Sequence, residues 1–277
     1  MPQFDLDAYL ERIGYRGPRT ASFDTLQALH ALHPAAIPFE NLNPLLGLPV
    51  PLDIESLQAK MVAGRRGGWC FEQNTLFRAA LEALGFRVNS LGARVLWGAP
   101  ANSPLGPRSH MLLHVDVGGR DYIADVGFGG NVLTAPLRVE PHTSQATPHE
   151  PHRLTPVDHG FVLEVNVRGE WGALYRFTLE PQFPSDYEVS NWYLCHHPSS
   201  FFRQQILAAR IKPEGRYALR NNALAIHGNG QTEKRLLSTA EELRACLESD
   251  FGIQLPDSPE LAGKLETLSR MAEATSA

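Results

Sequence analysis

The stretch Gly64-Arg65-Arg66-Gly67-Gly68-Trp69-Cys70-Phe71-Glu72-Gln73-Asn74 constrains this chain more than any other. A glycine-rich turn runs directly into Asn74, Phe77, Leu81 and Leu84 at helical spacing, and Gly85 supplies a stop. Cys70 is therefore predicted in the first turn of a helix. Unpaired N–H groups and the positive end of the helix dipole favour an anion there, as a thiolate nucleophile requires. The glycines are expected to let backbone approach a substrate closely. The competing reading, a small buried apolar cysteine, is weighed against what the rest of the chain supplies.

With 277 residues, 43% hydrophobic and 20% charged, the chain has enough length and apolar content for about two domains with sizeable cores. The net charge of -5 argues against general nucleic-acid binding, since no excess of Lys and Arg is available to neutralise phosphates. The start, Met1-Pro2-Gln3-Phe4-Asp5-Leu6-Asp7, has neither the basic residues nor the apolar run of a signal peptide. No stretch is apolar enough for a membrane span, and a cytoplasmic location is expected. Cys70, Cys195 and Cys246 have no disulfide or metal-type spacing, so neither a disulfide framework nor a metal site is predicted. Cys195 and Cys246 lack a helix-start glycine turn and read as structural.

The first third reads as helices. Leu6, Tyr9, Leu10 and Ile13 form one apolar face ending at Gly14; a second helix starts after Ser22 and carries Leu26, Leu29 and Leu32 before Pro34. Ile37-Pro38-Phe39-Glu40-Asn41-Leu42 is expected to be an irregular loop, and Asp53 to cap a helix carrying Ile54, Leu57 and Met61 that Gly64 ends. From Arg87 the period changes to two, followed by a Gly/Pro/Ser-rich surface connection from Gly98 to Pro107.

His110 to Val117, Gly118-Gly119 and Arg120 to Phe128 read as a hairpin with a two-residue primed turn. If Val117 pairs with Arg120, Leu112 faces Asp125 and His110 faces Gly127. His110 and Asp125 then become diagonal neighbours on one face, roughly 7–8 Å apart at the backbone. The other face carries Met111, Leu113, Val115, Val117, Tyr122, Ala124 and Val126 and is expected to be the core. One register serves both arrangements.

Residues 136–156 are expected to be a loop, and Phe161–Val167 with Trp171–Leu179 a second hairpin about Arg168-Gly169. Ser185 and Glu188 have capping-box spacing ahead of a short helix. Phe202–Ile211 and Tyr217–His227 read as strands, Thr239 and Glu242 as a second capping box, and Ser258-Pro259 as the start of a terminal helix.

A helix-start cysteine, a strand histidine and an acid that can orient it are the parts of an activated thiol nucleophile. His110 takes the thiol proton and Asp125 fixes its tautomer. Spacing alone allows peptidase, transglutaminase-like and acyltransferase chemistry.

Arg65-Arg66-Gly67-Gly68-Trp69-Cys70-Phe71-Glu72, Pro38-Phe39-Glu40-Asn41, Arg108-Ser109-His110 and Asp125-Val126-Gly127-Phe128-Gly129-Gly130 together resemble the arylamine N-acetyltransferases. Ser109 stands where that family usually has Thr, and Trp69 where Tyr is frequent. The resemblance implies an α+β fold with a thiol-protease-like Cys-His-Asp core in three domains. These are a helical bundle (residues 1–86) holding Cys70, an antiparallel β-barrel (87–184) holding His110 and Asp125, and an α/β lid (185–277).

It implies ping-pong transfer of acetyl from the co-substrate acetyl-CoA, through the thiol, to an aromatic amine, hydrazine or hydroxylamine, as in xenobiotic metabolism. No metal, nucleic acid or membrane is involved, and the enzyme is a monomer or homodimer. Phe39, Trp69, Phe128 and Phe202 would line the acceptor pocket. Ser109, Gly127, Gly129 and Gly130 would face the cofactor. Arg65, Arg66 and Glu40 read as a buried ion-pair network bracing the Cys turn. The rivals are an amide synthase of natural-product assembly and a thiol hydrolase using the same triad.

Overall fold

The structure is a computed structural model that describes residues 4–100, 103–228 and 230–271. The Met1-Pro2-Gln3 start and Ala101-Asn102 of the expected surface connection lie outside the described residues. Helix α1 (Leu6–Ile13) begins where Asp5 accepts from Ala8 N and ends at Gly14 in the left-handed region, as the sequence predicts. Helix α2 (Phe23–Ala36), capped by Ser22, runs two residues past the expected end at Pro34. Ile37 N–H donates to His33 O at 2.7 Å and closes that extra half-turn.

The expected loop at 37–42 is more ordered than its prolines suggest. It contains a short strand β1 (Phe39–Glu40) and a single helical turn α3 (Leu42–Leu45). Helix α4 (Ile54–Leu57), capped by Asp53, widens into a π-helical turn over Gln58–Ala63 before Gly64. Helix α5 (Cys70–Ala83) opens on the cysteine.

Seven antiparallel strands follow: β2 (Arg87–Val95), β3 (His110–Val117), β4 (Arg120–Ala124), β5 (Leu137–Arg138), β6 (His152–Val157), β7 (Gly160–Val167) and β8 (Glu170–Pro181). They form one sheet in the order β5-β4-β3-β2-β8-β7-β6. Bridges from Pro141 to Leu154 and from Gln145 to His152 join the two edges, so the sheet is barrel-like and nearly closed. Two expectations change here. Residues 136–156 hold β5, β6 and these bridges, because edge closure supplies pairing partners that are invisible in a Pro- and His-rich sequence. Strand β4 ends at Ala124 rather than Phe128, since Asp125 onward turns in toward α5.

The β3–β4 register is the predicted one, with Val117 opposite Arg120 and Leu113 opposite Ala124. Both faces of this hairpin are buried. Met111, Leu113, Val115, Tyr122, Ala124 and Val126 pack on the helices, while Leu112 and Ile123 join Leu91, Leu163, Leu174 and Phe177 inside the barrel. The expected core face is thus one of two.

Helix α6 (Pro184–His196) starts one residue before Ser185, with Asp186 Oδ2 accepting from Phe183 N at 2.8 Å, so the expected Ser185–Glu188 box is not the cap. Tyr187, Leu194 and Cys195 of α6 are buried with the N-terminal helices. A five-stranded antiparallel sheet then combines β9 (Leu207–Lys212), β10 (Gly215–Arg220), β11 (Ala223–Gly228) and β12 (Gln231–Leu236) with β1 at its edge.

The strand expected from Phe202 begins only at Leu207, because Phe201–Arg203 form a 3-10 turn. The strand expected over 217–227 is a hairpin, turned at Asn221 with φ 53. Helix α7 (Ala240–Ala245) has the predicted Thr239–Glu242 box, and α8 (Pro259–Ser269) the predicted Ser258 cap. No helix among the described residues is long and apolar enough to cross a membrane.

The two glycines before Trp69 are required by the chain's own packing. A Cβ on Gly67 would stand 2.1 Å from Pro38 O, and one on Gly68 would stand 2.7 Å from Glu72 Oε2. Gly67→Ala is therefore expected to destabilise by about 1–3 kcal/mol, toward the upper end because the clash is with backbone. Gly106→Ala, where nothing lies within 4 Å, is the control. Thermal unfolding of both variants checks this; equal melting temperatures would refute the clash.

Candidate active site

Cys70 occupies the first position of α5 and is 7% exposed. The turn before it is held from two sides. Phe39 bridges Gly68, with Glu40 N donating to Gly68 O at 3.1 Å. Glu72 Oε2 reaches back to Trp69 N at 3.1 Å, which satisfies one orphan N–H of the helix start.

Beneath the turn lies a ladder of buried charges. Arg66 contacts Glu40 Oε1 at 2.7 Å, Lys60 contacts Glu72 Oε1 at 2.7 Å, and Lys60 reaches Glu40 at 3.9 Å. The expected brace is therefore present with a different membership. Arg65 is exposed and outside it, and Lys60 takes its place. Spacing could not reveal Lys60, because the π turn rotates it toward Glu72.

His110 stands at the start of β3 and Asp125 just beyond the end of β4, and both are buried. His110 Nε2 donates to Asp125 Oδ2 at 2.7 Å, so the predicted diagonal pair is in direct contact. Its other ring nitrogen, Nδ1, is left free of Asp125, and nearby Cys70 adds to what raises the imidazole's pKa. Cys70 Sγ also lies 3.7 Å from Ser109 O.

Asp125 is matched on every side. Oδ1 accepts from Asn74 Nδ2 at 3.0 Å and Gly127 N at 2.9 Å; Oδ2 accepts from His110 and from Tyr175 OH at 2.9 Å. Its backbone N–H donates to His30 Nε2 at 3.0 Å. Burial holds His30 down at about 4, so its imidazole is neutral and can accept. Burial and then the Asp125 charge push the Tyr175 phenol well above its ordinary value, keeping it a donor.

Asn74, Tyr175 and His30 were not singled out from the sequence. A polar residue four after Cys70 on a buried helical face was a usable signal for Asn74. His30 and Tyr175 gave none, since their partners are 95 and 50 residues away.

The four expected aromatics separate into two groups. Phe128 stands edge-on to His110 at 5.0 Å and against Tyr175 at 5.1 Å, and is half-buried. Half-buried Phe39 lies against Gly129, whose Cβ would be 3.5 Å from its ring. Trp69 is 1% exposed and meets Phe202 edge-on at 5.1 Å, so it backs Phe202 rather than presenting a face of its own.

Phe202 is held by Asn41, whose Nδ2 donates to Phe202 O and Gln205 O at 2.8 Å while its Oδ1 accepts from Leu207 N at 2.7 Å. The close approach that Gly127 permits is to Cys70 Cα, 2.7 Å from an added Cβ, and to Asn74 Nδ2. Gly130 O and Val132 O accept from buried Arg216 at 3.5 and 2.8 Å, which ties this turn to β10. Cys195 and Cys246 are buried with their thiols pushed up to about 11 and about 12, first by burial, as their structural reading requires. No group of side chains among the described residues could hold a metal ion.

A thiol, an imidazole and a carboxylate in this order on a helix start, a strand and a loop define the class of thiol-dependent acyl-transfer sites. Known proteins narrow the class. An N-acetyltransferase family model matches residues 22–259. The arylamine N-acetyltransferase of Mycolicibacterium smegmatis is 44% identical over 272 residues, covering 97% of this chain and 98% of its own. That of Escherichia coli (strain K12) is 41% identical over 254 residues, covering 91% and 90%. The solved structure of Mycobacterium marinum arylamine N-acetyltransferase in complex with CoA superposes with a TM-score of 0.92 at 41% identity, covering 95% of this chain and 99% of that one. The chain belongs to the arylamine N-acetyltransferase family.

Burial alone would lower the His110 pKa, but the Asp125 carboxylate and the hydrogen bond to it raise it to about 10, from 6.5. A folded value above the unfolded one contributes stability that is fully present below about 6.5 and is lost as pH rises through about 10. Burial would raise the Asp125 pKa, yet His110 and the other donors lower it. Its contribution is therefore present above the ordinary carboxylate range, about 3.9, and is lost as pH falls through the lower folded value. The melting-temperature gap between wild type and His110→Gln should accordingly be wide at pH 6 and narrow at pH 9.5. A gap that stays constant between the two would show that the pair is not what holds His110 protonated.

Proposed function

We propose that this chain transfers acetyl from acetyl-CoA to the nitrogen of an aromatic amine, hydrazine or hydroxylamine through an acetyl-Cys70 intermediate. The chain is an acyltransferase by family, and the carrying observation for the residues is the 2.7 Å His110–Asp125 contact beside a cysteine at a helix start. At rest His110 already holds the thiol proton as an imidazolium, and in the first half-reaction the Cys70 thiolate attacks the thioester carbonyl. The carbonyl–sulfur bond to CoA breaks, and CoA leaves with that proton. In the second, the amine nitrogen attacks the acetyl-cysteine carbonyl, loses its proton to the now neutral His110, and releases Cys70 as the thiolate beside the restored imidazolium. Asp125 holds the tautomer and offsets the imidazolium charge in both steps.

Phe39, Phe128 and Phe202 form the walls of the acceptor slot in this reading, with Trp69 behind Phe202. Ser109, Gly129 and Gly130 face the acetyl-CoA thioester and pyrophosphate, and Gly127 serves the same turn by fitting against Cys70. The chain is organised as a helical bundle (1–86), a barrel (87–184) and an α/β lid (185–277), although β1 crosses from the first to the third. It acts as a monomer or homodimer in the cytoplasm.

Exposure of the protein to acetyl-CoA followed by mass spectrometry is expected to find one acetyl group, on Cys70, and none on Cys70→Ala. Acetyl retained in that variant, or turnover by it, would remove the nucleophile assignment. Phe128→Ala removes a ring wall, a loss on the order of 1–3 kcal/mol in acceptor use, with a smaller effect on single-turnover acetylation. The two half-reactions measured separately decide this: collapse of the first with the second unaffected would move Phe128 out of the acceptor pocket.

A further inference from the structure

Three segments must meet for this array to work, and one side chain touches all of them. Asn74 is fully buried on α5, four residues after Cys70 and so one turn along the same face. Its Nδ2 donates to Met111 O at 2.8 Å, beside His110 on β3, and to Asp125 Oδ1 at 3.0 Å. Its Oδ1 accepts from Val126 N at 3.1 Å.

We propose that Asn74 is the positioning residue of the Cys70–His110–Asp125 array: it fixes the thiol-bearing helix against the histidine strand and turns the Asp125 carboxylate so that Oδ2 faces the imidazole. The proposal rests on the reading of Cys70 as the acyl acceptor. With Oδ1 engaged by Asn74 and Gly127 N, the second oxygen is presented to His110 and Tyr175.

The chemistry at this position selects an amide. A neutral donor and acceptor on one short side chain satisfies a strand carbonyl, a loop N–H and a carboxylate without adding charge. An aspartate would set a second carboxylate against Asp125, and a leucine would leave Met111 O and Val126 N–H buried without partners. A glutamine is one methylene longer than the space allows, since Asn74 Nδ2 is already 2.8 Å from where a Cβ on Gly127 would stand. Gly127 is thereby accounted for as the residue that leaves room for this clamp.

The test compares wild type, Asn74→Ala and Asn74→Asp in single-turnover acetylation by acetyl-CoA and in iodoacetamide alkylation of Cys70 between pH 5 and 9. Asn74→Ala is expected to slow acetylation at least about tenfold with the KM for acetyl-CoA within about twofold, and to slow alkylation at pH 6 in parallel. Asn74→Asp is nearly isosteric and carries the test if the alanine variant does not fold. It should be impaired at pH 8 and recover toward pH 5, as the introduced carboxyl becomes protonated and donates to Asp125.

In an Asp125→Asn background, Asn74→Ala should add less than about threefold, because the two act on the same imidazole. Full additivity in that cycle, an unchanged alkylation profile, or no recovery of Asn74→Asp at low pH would each overturn the proposal. A wild-type protein that is alkylated readily but takes no acetyl from acetyl-CoA would instead sink the acyl-acceptor reading, and the alkylation data would then decide Asn74 by themselves.

Discussion

Asp125 has no solvent exposure, and the site is built around keeping it charged there. Taking a carboxylate out of water costs several kcal/mol unless donors and a counter-charge replace the lost hydration. Four donors do so, drawn from α5, β3, β8 and the loop after β4. The sheet must curl across β2 to bring Tyr175 of β8 in, and α5 must dock against β3 to bring Asn74. The charge therefore depends on the fold, and the geometry of His110 depends on the charge.

A second set of buried charges serves the other half of the site. Glu40 and Glu72 are almost fully buried, and Arg66 and Lys60 lie between them and solvent. Glu40 also accepts from Leu42 N at 2.6 Å, so it anchors the segment running from β1 into α3. Nearby, Gln73 donates to Pro38 O and Gly68 O while its Oε1 accepts from neutral His33, which in turn accepts from Tyr9. The glycine turn before Cys70 is thus clamped from α1, α2, the π turn after α4, and β1. A helix start held at this many points fixes the thiol's place relative to His110, as the proposed transfer requires.

Asn41 fixes the β1 edge of the five-stranded sheet. By fastening residues 202–207 to the end of β1 it sets both Phe202 and the first residue of β9. These aromatic groups therefore come from distant parts of the chain, Phe39 from β1, Phe128 from the turn packed on it and Phe202 from a 3-10 turn. Arg216 performs a similar service for the Gly129–Gly130 turn.

The sequence by itself determined the parts whose signals are local. The Gly85 stop after α5, the Gly118-Gly119 turn, the apolar alternation of β3 and the caps at Asp5, Ser22, Asp53, Thr239 and Ser258 are each legible within a few residues. The register of one hairpin was enough to bring His110 to Asp125, because the Gly118-Gly119 turn sets it and a one-residue slip would turn Met111, Leu113 and Val115 to the opposite face. Tertiary structure decided what needs a distant partner. The short strands β1, β5 and β6 exist only because other strands pair with them, and both faces of β3 are buried because helices cover one and barrel closure the other. Lys60 replaces Arg65 through a π turn that periodicity does not encode. Asn74, Tyr175 and His30 reach Asp125 across 51, 50 and 95 residues. Hydrogen-bond satisfaction of a buried charge is a property of the assembled fold, and local pattern marks Asn74 at most as a polar residue on a buried helix face, not its partner.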